Sequence, residues 1–224
     1  MALNEYAVAQ PRTSTLASNK LIRNTYTLLS MTLLFSALMA GVSVALAPPP
    51  GVSIITSIAA IGLLWLVLPR TAKSAAGLGV VFAITGLLGF GLGPMLAYHL
   101  AMPNGPQIVM TAAGGTGVVF LGLSGYALTT RKDFSFMGGF LITGLLVAII
   151  ASIANIFLHM PVMQLAISAG IVLLMSGFIL YDTSRMVHSG GQGNYLYMTV
   201  ALYLDILNLF VSLLQLLGML GDDN

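Results

Sequence analysis

Two aspartates carry the clearest potential for chemistry: Asp182, in TyrAspThrSerArg, and Asp205, in the middle of the apolar run Leu196 to Met219. Asp205 has nothing oppositely charged within a helical turn. Counted from Leu196 at 1.5 Å per residue, it lies about 14 Å into a hydrocarbon layer roughly 30 Å thick. A carboxylate at that depth costs on the order of 2.5 to 3.5 kcal/mol even on the lenient insertion scale, so a functional group with a partner is expected. Asp182 is the candidate partner. Two carboxyl groups in low dielectric do not both ionise cheaply, and they share a proton, keep one group neutral or bind a cation. Hard cations such as calcium choose oxygen ligands, and Asp182, Asp205, Asn208 and backbone carbonyls offer several. The blander reading makes Asp182 an interfacial residue, bonded to Arg185 or capping a helix end, and Asp205 a protonated structural group.

The elements that position these groups are helices. Met198, Ala201, Asp205, Asn208, Ser212 and Gln215 recur every three or four residues, so they share one face of a helix whose other faces are mostly Leu, Val, Ile and Phe. A polar stripe on an otherwise lipid-like helix must face protein or a wet cavity, which predicts a central position for this helix. With 58% hydrophobic and only 6% charged residues, the 224-residue chain is an integral membrane protein, since a soluble domain carries about a quarter charged residues. Apolar runs at about 25 to 47, 52 to 69, 77 to 100, 107 to 129, 137 to 157, 161 to 181 and 196 to 219 predict seven transmembrane helices in an all-α fold.

All eight cations fall on one side of such a bundle. Arg12, Lys20 and Arg23 precede the first span, Arg70 and Lys73 follow the second, Arg131 and Lys132 follow the fourth, and Arg185 follows the sixth. Because Lys and Arg resist translocation, this side is cytoplasmic, and Asp222 and Asp223 at the C-terminus lie outside. Residues 1 to 20 are polar and aperiodic and are expected to form a disordered cytoplasmic tail ahead of a transmembrane domain at 21 to 224. The first span is too long for a signal-peptide core and is expected to stay as a helix. The net charge of +2 reflects this asymmetry, and no basic patch is large enough to track nucleic acid. The chain has no cysteine, which excludes disulfides and thiol chemistry.

Arg70 and Lys73 are candidate latch residues, because a cation paired with Asp182 would hold a cytoplasmic gate closed until protonation released it. Their simpler reading is as topology determinants. Small residues four apart at Ala37 and Gly41, Gly89 and Gly93, and Ala113 and Gly117 predict close helix approach. GlyPheGlyLeuGly at 89 to 93 sits inside a span with no strand before it and is not a phosphate loop. The thirteen methionines are read as gap-filling core. GlyLeuSerGly at 122 to 125 matches the motif of rhomboid-type serine proteases, but no histidine lies deep in any span to serve as base. Two facing aspartates also suit presenilin-type proteases, yet Asp205 stands in TyrLeuAspIleLeu without the GlyxGlyAsp those enzymes use. The chain is therefore read as a non-enzyme without a bound cofactor, calcium aside.

Several segments together resemble the transmembrane Bax inhibitor motif family. They are TyrAspThr at 181 to 183, AlaLeuTyrLeuAspIleLeuAsnLeuPhe at 201 to 210 and ThrThrArgLysAspPheSerPhe at 129 to 136. LeuIleArgAsnThrTyrThrLeuLeuSer at 21 to 30 and AlaAsnIlePheLeuHisMetPro at 154 to 161 extend the likeness to its bacterial YccA-like branch, over nearly the whole chain. The resemblance implies a central seventh helix surrounded by the other six. It also implies that Asp182 and Asp205 match the aspartate pair that senses pH in calcium-leak members. In those proteins an arginine ending the second helix pairs with the first aspartate, and Arg70 is the nearest match. The YccA-like branch is associated with binding and restraining the inner-membrane, ATP-dependent protease FtsH through the N-terminal tail. Two functions follow as expectations: modulation of FtsH with a proton-sensitive cation site, or a pH-gated calcium leak.

Overall fold

The computed structural model describes residues 10 to 221, with side chains from residue 16 onward. Residues 1 to 9 of the expected tail, and Asp222 and Asp223, lie outside the described residues. Among the described residues nine α-helices build seven spans: α1 (Gln10–Leu46), α2 (Gly51–Gly62) continuing through a π-turn into α3 (Leu68–Thr71), α4 (Ala76–Gly91) with α5 (Gly93–Leu100), α6 (Gly105–Thr130), α7 (Gly138–Leu158), α8 (Pro161–His188) and α9 (Tyr195–Gly221). The chain is a multi-pass, all-helical membrane protein. Each span is long and apolar enough to cross a bilayer, and a helix satisfies its backbone hydrogen bonds internally in hydrocarbon.

Two expected boundaries shift. Residues 10 to 20, read as part of a disordered tail, already belong to α1. The sixth span, expected to end near residue 181, continues as helix to His188, because nothing in TyrAspThrSerArgMetVal breaks it before Gly190 and Gly191.

Proline sets the two interruptions. Pro94 lacks an N–H and crowds the preceding turn, so the third span divides at Leu92 into α4 and α5. Pro69 does the same in the second span, where the register slips to Leu63–Val67 as a π-turn and the Leu68 N–H reaches the Leu63 carbonyl. One turn back on the same span, the Leu66 carbonyl takes a hydrogen bond from the Arg70 guanidinium.

α9 packs against α1, α4, α6 and α8, whereas α2 packs on α4 and α7 on α8. In its most apolar stretch 44% of α9 is buried, against 11% for the fifth span, whose Phe140, Ile150 and Phe157 face outward. The core follows α9: Leu202, Tyr203 and Leu209 are buried with Ile179 and Met186 of α8 and Leu29 of α1.

Of the three small-residue pairs, only Gly89 and Gly93 bring backbones together, since a Cβ at either would run into Ser36 or Ser43 of α1. Gly41 and Gly117 touch nothing that a Cβ would meet, so the expected close approach does not occur there. Together with Ala37 and Ala113 they line an open cleft.

Candidate functional site

The TyrAspThrSerArg segment places three consecutive buried polar side chains on a helix, and they diverge by about 100° per residue toward different neighbours. Asp182 turns to α9, where Asp205 is its neighbour. Thr183 turns to α6 and α1: its Oγ1 lies 3.3 Å from Ser124 Oγ and 3.5 Å from Tyr26 Oη, and Tyr26 and Ser124 are themselves hydrogen-bonded. Ser184 turns to the loop after α6, accepting from the Phe134 N–H at 3.0 Å and donating to the Lys132 carbonyl at 3.1 Å.

The extension of α8 makes this geometry. Asp182 lies six residues before His188, and the turn at 189 to 194 returns the chain so that Asp205, ten residues into α9, reaches the same level. No inward fold of the connecting chain is needed. Gly190 and Gly191 take φ of +59° and +83°, and a Cβ on Gly191 would overlap Ala17 of α1. Asn194 fixes the other side of the turn, donating to the Ala72 carbonyl at 2.8 Å and accepting from the Leu196 N–H at 2.9 Å.

Both carboxyl groups are buried, at 8% exposure for Asp182 and 7% for Asp205. Among the described residues, Asp205 Oδ2 has no hydrogen-bond partner. The cation beside Asp182 is Arg185, one turn along the same helix, with Nη1 3.7 Å from Oδ1. Its guanidinium also lies over the Tyr181 ring, 5.4 Å from the centroid, and its side chain is half exposed.

Two expected site residues are elsewhere. Arg70 is exposed and its guanidinium donates to the Leu66 carbonyl one turn back on its own span, so it is not the cation beside Asp182. Asn208 is exposed and donates back to the Leu204 carbonyl at 2.8 Å, because the α9 face toward α8 is narrower than the stripe that three- and four-residue spacing suggests. Among the described residues no group of three or more His, Cys, Asp or Glu side chains gathers as a metal centre. Ser124 is a member of the hydroxyl cluster with Tyr26 and Thr183, contacts that single-span motifs do not announce.

A second polar cluster joins α7, α8 and α9 at their opposite ends. Asn155 Nδ2 donates to Gln164 Oε1 at 3.1 Å, Gln164 Nε2 donates to Gln215 Oε1 at 3.1 Å, and Ser168 Oγ donates to the same Gln215 oxygen at 3.0 Å. Asn155 Oδ1 accepts from the Met160 N–H at 3.1 Å. The polar stripe of α9 identifies Gln215, but the i, i+4 pair Gln164 and Ser168 gains its meaning only from the packing.

The fold defines a polytopic helical membrane protein with a buried aspartate on each of its last two spans. Residues 18–222 match the family described as Inhibitor of apoptosis-promoting Bax1, and the chain belongs to that family. It is 50% identical over 210 residues, 94% of each chain, to an uncharacterised membrane protein of Vibrio cholerae. It is 48% identical over 213 residues, 95% of each chain, to an Escherichia coli protein named modulator of FtsH protease YccA. The same identity and coverage hold for a protein of another Escherichia coli strain, named inner membrane protein YccA.

Proposed function

We propose that this protein is an inner-membrane modulator that restrains an FtsH-type, membrane-anchored ATP-dependent protease, and that it is not itself an enzyme. The observation that carries this reading is the 48% identity, across 95% of both chains, to a relative named for that activity. The cation-bearing end is taken as cytoplasmic, which presents the N-terminal segment ahead of α1 to the protease. Deleting residues 2 to 9, and so leaving α1 whole, should abolish the slowing of protease-dependent substrate turnover in cells. Turnover still slowed to the wild-type extent would count against this assignment.

Asp182 and Asp205 are proposed as the proton-sensitive element of this activity, with α9 as the central helix that carries the response. Two neighbouring buried carboxyl groups do not both ionise cheaply, so loss of a proton held between them puts like charges together in a dry interface. Separation of α8 from α9, or uptake of a cation such as calcium, relieves that repulsion. The unpartnered Oδ2 of Asp205 favours a second reading, a pH-gated calcium leak. Vesicles holding the purified protein should then show pH-dependent calcium flux that disappears in Asp205→Asn, and equal flux from the variant would sink the leak.

A further inference from the structure

The inner wall of the bundle between α1, α5, α6 and α9 holds a cleft of about 570 Å3 whose chemistry bears on neither carboxylate. α1 and α6 meet near the cation-bearing side, where Tyr26 bonds Ser124 and packs on Phe120. Beyond Phe120 the cleft lies between them, with Ala37 and Gly41 on one wall, Ala113 and Gly117 on the other, and Tyr203 and Ile206 of α9 at its floor.

Three hydroxyls line it, and all are engaged. Tyr203 donates to the Thr85 carbonyl at 3.1 Å, Ser36 Oγ lies 2.6 Å from Tyr203 Oη, and Thr116 donates to the Ala112 carbonyl at 2.7 Å. No charged side chain lines the cleft. It therefore offers a polar occupant no free donor and only a few hydroxyl lone pairs, fewer partners than a buried water normally takes. Unfilled, its lining would forgo dispersion contacts on one side.

Size separates the apolar candidates. One turn of a helix 10 to 12 Å across and 5.4 Å long fills roughly 400 to 600 Å3, so the cleft takes about a single turn, while a helix crossing the membrane needs five or more. A hydrocarbon chain fits without that mismatch, since about 150 Å3 of apolar space already accommodates a benzene ring. We propose that this cleft seats an acyl chain of a bilayer phospholipid, inserted between α1 and α6 against the Tyr203 face of α9.

Wild-type protein in vesicles of phosphatidylethanolamine and phosphatidylglycerol, doped with a phosphatidylglycerol bearing a diazirine on its acyl chain, tests the site by photolabelling and peptide mapping. Floor and wall residues such as Ile206 and Gly117 should be labelled. The double variant Gly41→Leu, Gly117→Leu fills the cleft from positions where an added Cβ meets nothing within 4 Å. It should lose about ten-fold of the label in the cleft while outward-facing Phe157 of α7 keeps its label. Absence of label from the wild-type cleft overturns the proposal by itself, whether or not the double variant folds. Equal cleft labelling in wild type and a folded double variant also overturns it.

Discussion

α8 and α9 are joined at both ends by polar side chains, but by opposite chemistries. At one end Asn155, Gln164, Ser168 and Gln215 form a neutral chain linked by three hydrogen bonds. At the other, Asp182 and Asp205 bring two acids together, and one oxygen of Asp205 has no partner among the described residues. Amides and hydroxyls keep one hydrogen-bonding pattern at every ordinary pH, so the neutral end can act as a fixed clasp. Carboxyl groups change pattern with each proton, so under the proposed function the acidic end would respond and the clasp would be its pivot.

The turn between the helices sets the register of both ends, so breaking it should have the largest effect. Gly191→Ala forces an alanine to φ +83° and pushes its Cβ into Ala17, at a cost of about 2 to 3 kcal/mol. Thermal unfolding in detergent should show the loss, and the amide clasp and the acidic pair should weaken together. Gln215→Leu separates them. It removes the acceptor shared by Gln164 and fully buried Ser168 and should cost about 1 to 2 kcal/mol, with the pH response of the other end intact. An equal loss of that response would mean that the two ends are one unit.

Asp205→Asn acts at the acidic end alone. The amide keeps the shape and can donate to Asp182, so stability should move by less than about 1 kcal/mol. Any difference in protons held by folded and unfolded chains appears as a slope of stability against pH, and the variant should flatten the part that the pair contributes. Parallel curves for wild type and variant would show that the pair does not titrate as a unit.

How legible these ends were in the sequence follows from the range of the forces involved. Seven spans and the one-sided cations were readable because hydrophobic length and charge are summed over many residues. Asp205 stood out for the same reason, as a charge where the sum forbids one. Asn208 misled because spacing gives a face but not its width, and only the packing of α8 decides which part of the stripe is covered. Arg70 misled because its guanidinium bonds a carbonyl one turn back on its own span, and a place at a helix end does not say which neighbour a long side chain takes. The small-residue pairs show the limit most plainly: the same spacing produced a backbone contact at Gly89 and Gly93 and an open cleft at Gly41 and Gly117.

The smallest expected effect comes from a carboxylate outside the spans, which serves as the control for the buried pair. Asp133 lies in the exposed turn after α6 and accepts from the hydroxyl and, at 2.9 Å, from the backbone N–H of Ser135. The hydroxyl bond and then the amide bond hold its carboxyl below the ordinary value of 3.8, with nearby His188 acting in the same direction. A carboxyl lowered on folding adds stability that is complete above its unfolded value and is lost as pH falls through the lower folded one. The window is therefore below pH 4, clear of the range in which a cell would use a sensor. Ser135→Ala removes the first of the two donors and should raise the Asp133 midpoint toward 3.8, as followed by carboxyl carbon NMR. Stability at neutral pH should scarcely change, because solvent screens an exposed turn. A pH response of the whole protein that moved with Ser135→Ala, and not with Asp205→Asn, would relocate the sensor from the α8–α9 interface to this loop.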